Sequence, residues 1–174
     1  MALQTKTFIG TTSSPTLWTW KIEVIENSIN EDNNTSSVTV NNYLGRVPSS
    51  GSYFSGSATM SYSAGGQNFS ENKSYGETTI GAGQYVLMGS HTFTIEHTSE
   101  PMNIGASGSI SNATFNPNTA SADGTMTLTE IIQGILRLRV NGAWKKATAY
   151  LRVNGTWKKC KAYLRLGNVW KKGE

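Results

Sequence analysis

The stretch Trp18-Thr19-Trp20-Lys21-Ile22-Glu23-Val24 decides the fold. Trp18, Trp20, Ile22 and Val24 fall at every second position with a polar residue between each, and a period of two puts the four apolar side chains on one face of an extended strand. Downstream, Ser36-Ser37-Val38-Thr39-Val40-Asn41-Asn42-Tyr43-Leu44 is equally rich in β-formers. Further strands are expected at Ser57 to Ser63, Asn68 to Ser74 behind the Gly65-Gly66 turn, Val86 to His97, Met102 to Ile110 and Gly124 to Ile132. No window carries the i, i+3, i+4, i+7 stripe of a helix. Seven or so short strands at about ten-residue spacing, with turn residues between them, predict an all-β domain: an antiparallel β-sandwich of immunoglobulin-like build. The Cys…Trp…Cys signature of true immunoglobulin domains is absent, so the expectation concerns architecture only.

Outward from that domain the composition changes. Residues 1–130 carry four basic and ten acidic residues, a net charge of −6, whereas residues 131–174 carry eleven basic residues against Glu174 alone, a net charge of +10. Ser, Thr and Asn fill 51 of the first 130 positions and 5 of the last 44. The overall charge of +4 therefore conceals two segments of different physics, with an expected boundary between 130 and 131.

The second segment is a repeat. Leu138-Arg139-Val140-Asn141-Gly142-Ala143-Trp144-Lys145-Lys146 recurs as Leu151-Arg152-Val153-Asn154-Gly155-Thr156-Trp157-Lys158-Lys159 and again as Leu164-Arg165-Leu166-Gly167-Asn168-Val169-Trp170-Lys171-Lys172. Asn-Gly twice and Gly-Asn once, each flanked by β-formers, signal two-residue hairpin turns. Such turns set the pairing: Val140 faces Ala143, Arg139 faces Trp144, Arg152 faces Trp157 and Arg165 faces Trp170. If the stretch from Ala143 to Val153 is one strand, then Ala143, Lys145, Ala147, Ala149, Leu151 and Val153 share one face, and Trp144, Lys146, Thr148, Tyr150 and Arg152 the other. The candidate binding or assembly face is thus Arg139, Trp144, Tyr150, Arg152, Trp157, Tyr163, Arg165 and Trp170. A short meander needs its aliphatic face covered. Either the repeats dock on their own sandwich, or several chains meet in a β-prism; we expect a homo-oligomer, with a trimer favoured.

The runs Asn33-Asn34-Thr35-Ser36-Ser37-Val38-Thr39-Val40, Gly89-Ser90-His91-Thr92-Phe93-Thr94-Ile95-Glu96-His97, Ile104-Gly105-Ala106-Ser107-Gly108-Ser109-Ile110 and Gly124-Thr125-Met126-Thr127-Leu128-Thr129-Glu130-Ile131 carry a resemblance, in composition and in order. Over roughly residues 17–131 the chain resembles a module of uncharacterised function in structural and host-recognition proteins of tailed bacteriophages, siphovirus type, with Gram-positive hosts. The terminal repeat resembles short tandem segments at the ends of phage structural proteins. The resemblance implies a place in the virion among other virion proteins, and it brings no catalytic residues. It departs from the family after His97, where Thr98-Ser99-Glu100-Pro101 replaces an Asp-Gly turn, and after Ile131, where the Pro-Arg that often closes the module is missing.

Chemistry-bearing residues are few. One cysteine, Cys160, makes no intramolecular disulfide, and one cysteine with two histidines makes no Cys/His zinc site. Cys160 takes the place of Ala147 on the small aliphatic face and is expected to be buried and inert. His91 and His97 are six apart and share a strand face, with Glu96 on the opposite one. Neither aspartate, Asp32 or Asp123, sits in a nucleophile context. Glu26, Glu31, Asp32, Asn33 and Asn34 read as one oxygen-rich loop without the ligand spacing of a calcium loop. Gly81-Ala82-Gly83 lacks the third glycine of a dinucleotide motif and reads as a turn. No run approaches the length of a membrane span, and Met1-Ala2-Leu3-Gln4 lacks the charged flank of a secretory signal. We therefore expect no catalytic site, metal, cofactor, membrane span or nucleic-acid partner.

The repeat itself leaves two readings. Each Arg–Trp pair is either a cross-strand cation–π contact of about 0.5–1 kcal/mol or part of a platform for flat ligands such as sugar rings. The expected role is non-enzymatic: virion decoration or tail-associated host attachment, with the repeat mediating assembly. The alternative is a module for Gram-positive cell-wall carbohydrate, using Trp144, Trp157 and Trp170 or the loop aromatics Tyr53 and Phe54. A small glycan-degrading enzyme with paired carboxylates stands third.

Overall fold

A computed structural model describes residues 2–31, 33–47, 52–98, 101–131, 136–141, 143–147, 149–160, 163–166 and 169–172, with residues 52, 136–140, 143–147, 159, 163–166 and 169–172 described by their backbone alone. The chain is all-β and antiparallel, and it divides into two compact units, Met1–Glu130 and Ile131–Glu174.

The first unit is built from two sheets. One has the order β1-β3-β4-β7, formed by β1 (Gln4–Ile9), β3 (Trp18–Asn30), β4 (Thr35–Arg46) and β7 (Tyr85–Glu96). The other has the order β2-β9-β8-β5-β6, formed by β2 (Thr11–Thr12), β9 (Ala120–Thr127), β8 (Asn103–Ser111), β5 (Ser52–Ala64) and β6 (Gln67–Ile80). Three hairpins, β3/β4, β5/β6 and β8/β9, carry most of the pairing, and the chain crosses between sheets after β1, β2, β4, β6 and β7. At Gly65 and Gly66, with φ of 56° and 82°, the β5/β6 turn takes the left-handed conformations that glycine adopts without strain.

Alternation in β3 buries Trp18, Trp20, Ile22 and Val24 and leaves the residues between them half-exposed. These side chains meet Val38, Val40 and Leu44 from β4, Phe93 and Ile95 from β7, and Met60, Tyr62, Ile104, Ile110 and Met126 from the facing sheet. Each such side chain, fully removed from water, contributes roughly 1.5–3 kcal/mol. Two polar ties cross the core: Trp20 Nε1 donates to the Gly108 carbonyl at 3.1 Å, and Asn42 Nδ2 donates to the Ser61 carbonyl at 3.2 Å.

The observed strands differ from the expected ones in several places. Strands β3 to β7 run 12 to 14 residues, longer than the apolar runs suggest, because ladder hydrogen bonding continues through polar residues at the sheet ends. Strand β9 starts at Ala120, four residues before the expected Gly124, and ends at Thr127; Ala120 and Ala122 fill core positions too small to register as an apolar strand. Leu128 to Ile131, expected to continue the strand, lie outside it, and Ile132 lies outside the described residues. Strands β1 and β2 add to the expected set, since Gln4–Ile9 holds only Phe8 as an inward apolar anchor; its ring occupies the space that a side chain on Gly124 would need. Glu26 belongs to β3 and is buried, not part of the loop read around Glu31; Asp32 lies outside the described residues.

The second unit consists of hairpins. Strand β10 (Leu136–Val140) pairs with β11 (Ala143–Ala147), β12 (Tyr150–Val153) with β13 (Thr156–Lys159), and β14 (Tyr163–Leu166) with β15 (Val169–Lys172). They form three separate two-stranded sheets. Of the stretch expected as one strand from Ala143 to Val153, β11 covers Ala143–Ala147 and β12 Tyr150–Val153, the Cys160 N–H donates to the Ala149 carbonyl at 2.9 Å, and Thr148 lies outside the described residues.

Candidate functional site

Two regions present chemistry to solvent, and each belongs to one unit. In the second unit the registers place Arg139 opposite Trp144, Arg152 opposite Trp157 and Arg165 opposite Trp170, with Tyr150 opposite Lys159 and Tyr163 opposite Lys172. The side chains of Arg139, Trp144, Tyr163, Arg165 and Trp170 lie outside the described residues. In the middle hairpin, Asn154 and Gly155 adopt φ of 50° and 80°, as a two-residue turn with positive φ at both centres demands. Tyr150 is 56% exposed, Leu151 59%, Val153 37% and Trp157 65%, so both faces of this hairpin are open. Arg152 does not cover Trp157. Its Nε donates to the Gly155 carbonyl at 3.3 Å, and the cation–π contacts among the described residues are instead Lys21 with Tyr43 and Tyr85, and Arg46 with Trp18. Cys160 is exposed rather than buried; a two-stranded ribbon does not by itself cover either of its faces.

In the first unit the loops at one end of the sandwich converge. Residues 13–17 lead into β3, residues 81–84 join β6 to β7, and residues 112–119 join β8 to β9. Ser13 N donates to the Thr119 carbonyl at 2.9 Å, Thr114 N to the Ser57 carbonyl at 2.9 Å, and Ser14 Oγ to Asn116 Oδ1 at 2.5 Å. Phe115 anchors the 112–119 loop by packing on Phe54, with ring centroids 4.8 Å apart, and on Tyr75 at 5.9 Å. A shallow groove of about 450 Å³ opens between the two loops, lined by Ser13, Ser14, Thr114, Phe115, Asn116 and Asn118. A second, of about 410 Å³, shares Ser13 and runs over Thr11, Ser109 and Ser121. The sequence shows Asn116-Pro117-Asn118 as a turn between strands; that it meets Ser13 and Ser14 is a tertiary fact.

The proposed aromatic pair Tyr53 and Phe54 divides. Both belong to β5 rather than to a loop; Tyr53 is 69% exposed, while Phe54 is buried against Trp18, Tyr75 and Phe115. Alternation along β5 sends neighbours to opposite faces, so the two cannot present one surface.

Glu26, Ser36, His97 and His91 are engaged in structure. Glu26 is fully buried; desolvation pushes its pKa up, but hydrogen bonds from Gln4, Thr129 and Ser36 outweigh this and hold the carboxyl below its ordinary range. Ser36 Oγ donates to Glu26 Oε1 at 2.7 Å and lies 2.8 Å from His97 Nε2. The serine stands between acid and histidine and is itself fully buried, which removes it from any nucleophile role. His91 stacks on Phe69 at 3.7 Å, and Glu96 faces outward. Among the described residues, no three His, Cys, Asp or Glu side chains group as a metal site, and no helix is long and apolar enough to cross a membrane.

No family model, curated protein or solved structure matches the chain.

Proposed function

We propose that this chain is a non-enzymatic structural protein of a bacteriophage particle, used in virion decoration or tail-associated host attachment, and that residues 131–174 assemble it with copies of itself and with other virion proteins. The observation that carries the assembly role is the open hairpin Tyr150–Lys159. A two-stranded ribbon with apolar side chains exposed on both faces is marginal alone in water, and each of Tyr150, Leu151 and Trp157 gains roughly 1.5–3 kcal/mol when a partner covers it. The net charge of +10 in the repeat leaves little room for an ordinary mixed-sign surface. The strand order β3-β4-β7 facing β6-β5-β8-β9 supports an immunoglobulin-like reading, with the fourth core strand on the sheet of the third. The phage setting rests on the ordered resemblance over residues 17–131.

The test is mass in solution by light scattering, for the full chain and for Leu151→Asp. A trimer that dissociates in the variant is the expected result; a monomeric wild type defeats the assembly role. A second reading, a module for cell-wall carbohydrate, is favoured by the Trp157 ring, which lies open and uncovered by Arg152. Retention on Gram-positive cell walls that survives Trp157→Ala would remove that ring from binding.

A further inference from the structure

We infer that the loop end of the sandwich is a binding site for a neutral oligosaccharide, centred on Asn116 and Asn118. The inference rests on the attachment half of the proposed function and gives that half a site and a ligand class; the assembly half stands separately.

The groove is polar and carries no charge. Ser13, Ser14, Thr114, Asn116 and Asn118 supply hydroxyls and amides, Phe115 supplies a half-buried aromatic edge, and neither groove is lined by Lys, Arg, Asp or Glu. Hydroxyls and amides both donate and accept, which is the capacity a sugar hydroxyl requires of its partner. A phosphate-bearing polymer would demand cations, and a cationic ligand would demand carboxylates; neither groove lining provides them, although the chain is not short of charge.

The polar groups are also held ready. The loop carrying Asn116 and Asn118 is tied to Ser57 through Thr114, whose Oγ1 accepts from Ser57 N at 2.9 Å, and to residues 13–14 through the bonds to Thr119 and Asn116. Ser14 Oγ donates to Asn116 Oδ1, which orients the Asn116 amide; its NH2 group and the Asn118 side chain are exposed to solvent, with no protein partner among the described residues. An amide oriented in advance, as that of Asn116 is by Ser14, loses less freedom when a ligand arrives. The two grooves share Ser13 in their linings. Tyr53 and Tyr85, 69% and 38% exposed, stand at the starts of β5 and β7 at this same end of the sandwich.

The test uses the full chain, isotope-labelled for amide shift mapping and titrated separately with chitohexaose, cellohexaose and isomaltohexaose, with poly(glycerol phosphate) as the anionic comparator. Saturable shifts at Ser14, Thr114, Asn116 and Asn118 with at least one neutral oligosaccharide are expected. Asn116→Ala and Asn118→Ala should each weaken that binding about tenfold, and Trp157→Ala should leave it unchanged; unaltered amide dispersion shows that each variant folds. No saturable shift in the groove with any of the three, shifts confined to the hairpin around Trp157, or a groove that takes only the polyanion would overturn the inference. Retention on Gram-positive cell walls separates the two ideas: walls that hold the chain while the groove is silent leave attachment standing without this site, and oligosaccharide binding without wall retention leaves the site standing without attachment.

Discussion

Glu26→Gln tests the role of the buried carboxylate. Three donors converge on Oε2: Gln4 Nε2 at 2.7 Å, Thr129 N at 2.9 Å and Thr129 Oγ1 at 2.7 Å, while Ser36 Oγ donates to Oε1 at 2.7 Å. A glutamine of nearly the same shape can turn its oxygen to the three donors and its NH2 to Ser36, whose hydroxyl then donates to His97 Nε2. The geometry survives; the charge does not. A hydrogen bond to a charged group contributes ~1.5–3 kcal/mol and a neutral one ~0.5–1.5, so three bonds lose about 3 kcal/mol together. Burying an amide instead of an anion recovers about 1 kcal/mol, leaving a net loss of about 2 kcal/mol at neutral pH. At ~4 °C per kcal/mol for a unit of this size, the midpoint falls by ~8 °C. The pH dependence has a definite sign. The folded pKa of Glu26 lies below its ordinary value of 4.5, so its contribution is present above that value and disappears as pH falls through the folded one. Wild type and variant should therefore converge in acid. Urea unfolding followed by near-ultraviolet dichroism, at neutral pH and at two values below 4.5, measures both effects. A variant as stable as wild type at neutral pH, or a gap that widens in acid, would refute the reasoning.

Three further outcomes follow from the packing. Gly108→Ala should lower sandwich stability by about 1–3 kcal/mol, because a Cβ there overlaps the Asn42 amide oxygen and reaches Ile22 Cγ2; an unchanged urea midpoint would show that the two sheets give way freely. Phe54→Ala should cost about 3–5 kcal/mol through its contacts with Trp18, Tyr75 and Phe115, whereas Tyr53→Ala should cost under about 0.5 kcal/mol; equal losses would contradict the division between them. Asn154→Ala should weaken the middle hairpin by about 1–2 kcal/mol, since φ of 50° suits asparagine and strains alanine, and Asn154→Gly should restore it, as read from the amide exchange of residues 150–159.

Features whose causes lie close together along the chain are legible in the sequence. Trp18 to Val24 announces its strand and its buried face because alternation is a local property, and Asn154-Gly155 announces its turn because positive φ is a local demand. The division at residue 130 is written in charge and in Ser, Thr and Asn content. Other features depend on distant partners. Glu26 reads as one more acid near a loop until Gln4 and Thr129 arrive from opposite ends of the unit to satisfy it. Phe54 reads like Tyr53 until β5 buries one and exposes the other.

By itself, then, the sequence determined the β class, the strand faces, the two-part organisation and the hairpin turns, all consequences of periods and propensities acting over a few residues. The tertiary structure alone decided that β1 and β2 complete the two sheets, that among the described residues the repeat pairs as three two-stranded sheets, and that Ser13, Ser14, Asn116 and Asn118 line one groove. The physical reason is common to all three. Which distant backbones pair, and which loops share an end of the sandwich, depends on burying both sheets against each other at once, and no single stretch of chain carries that condition.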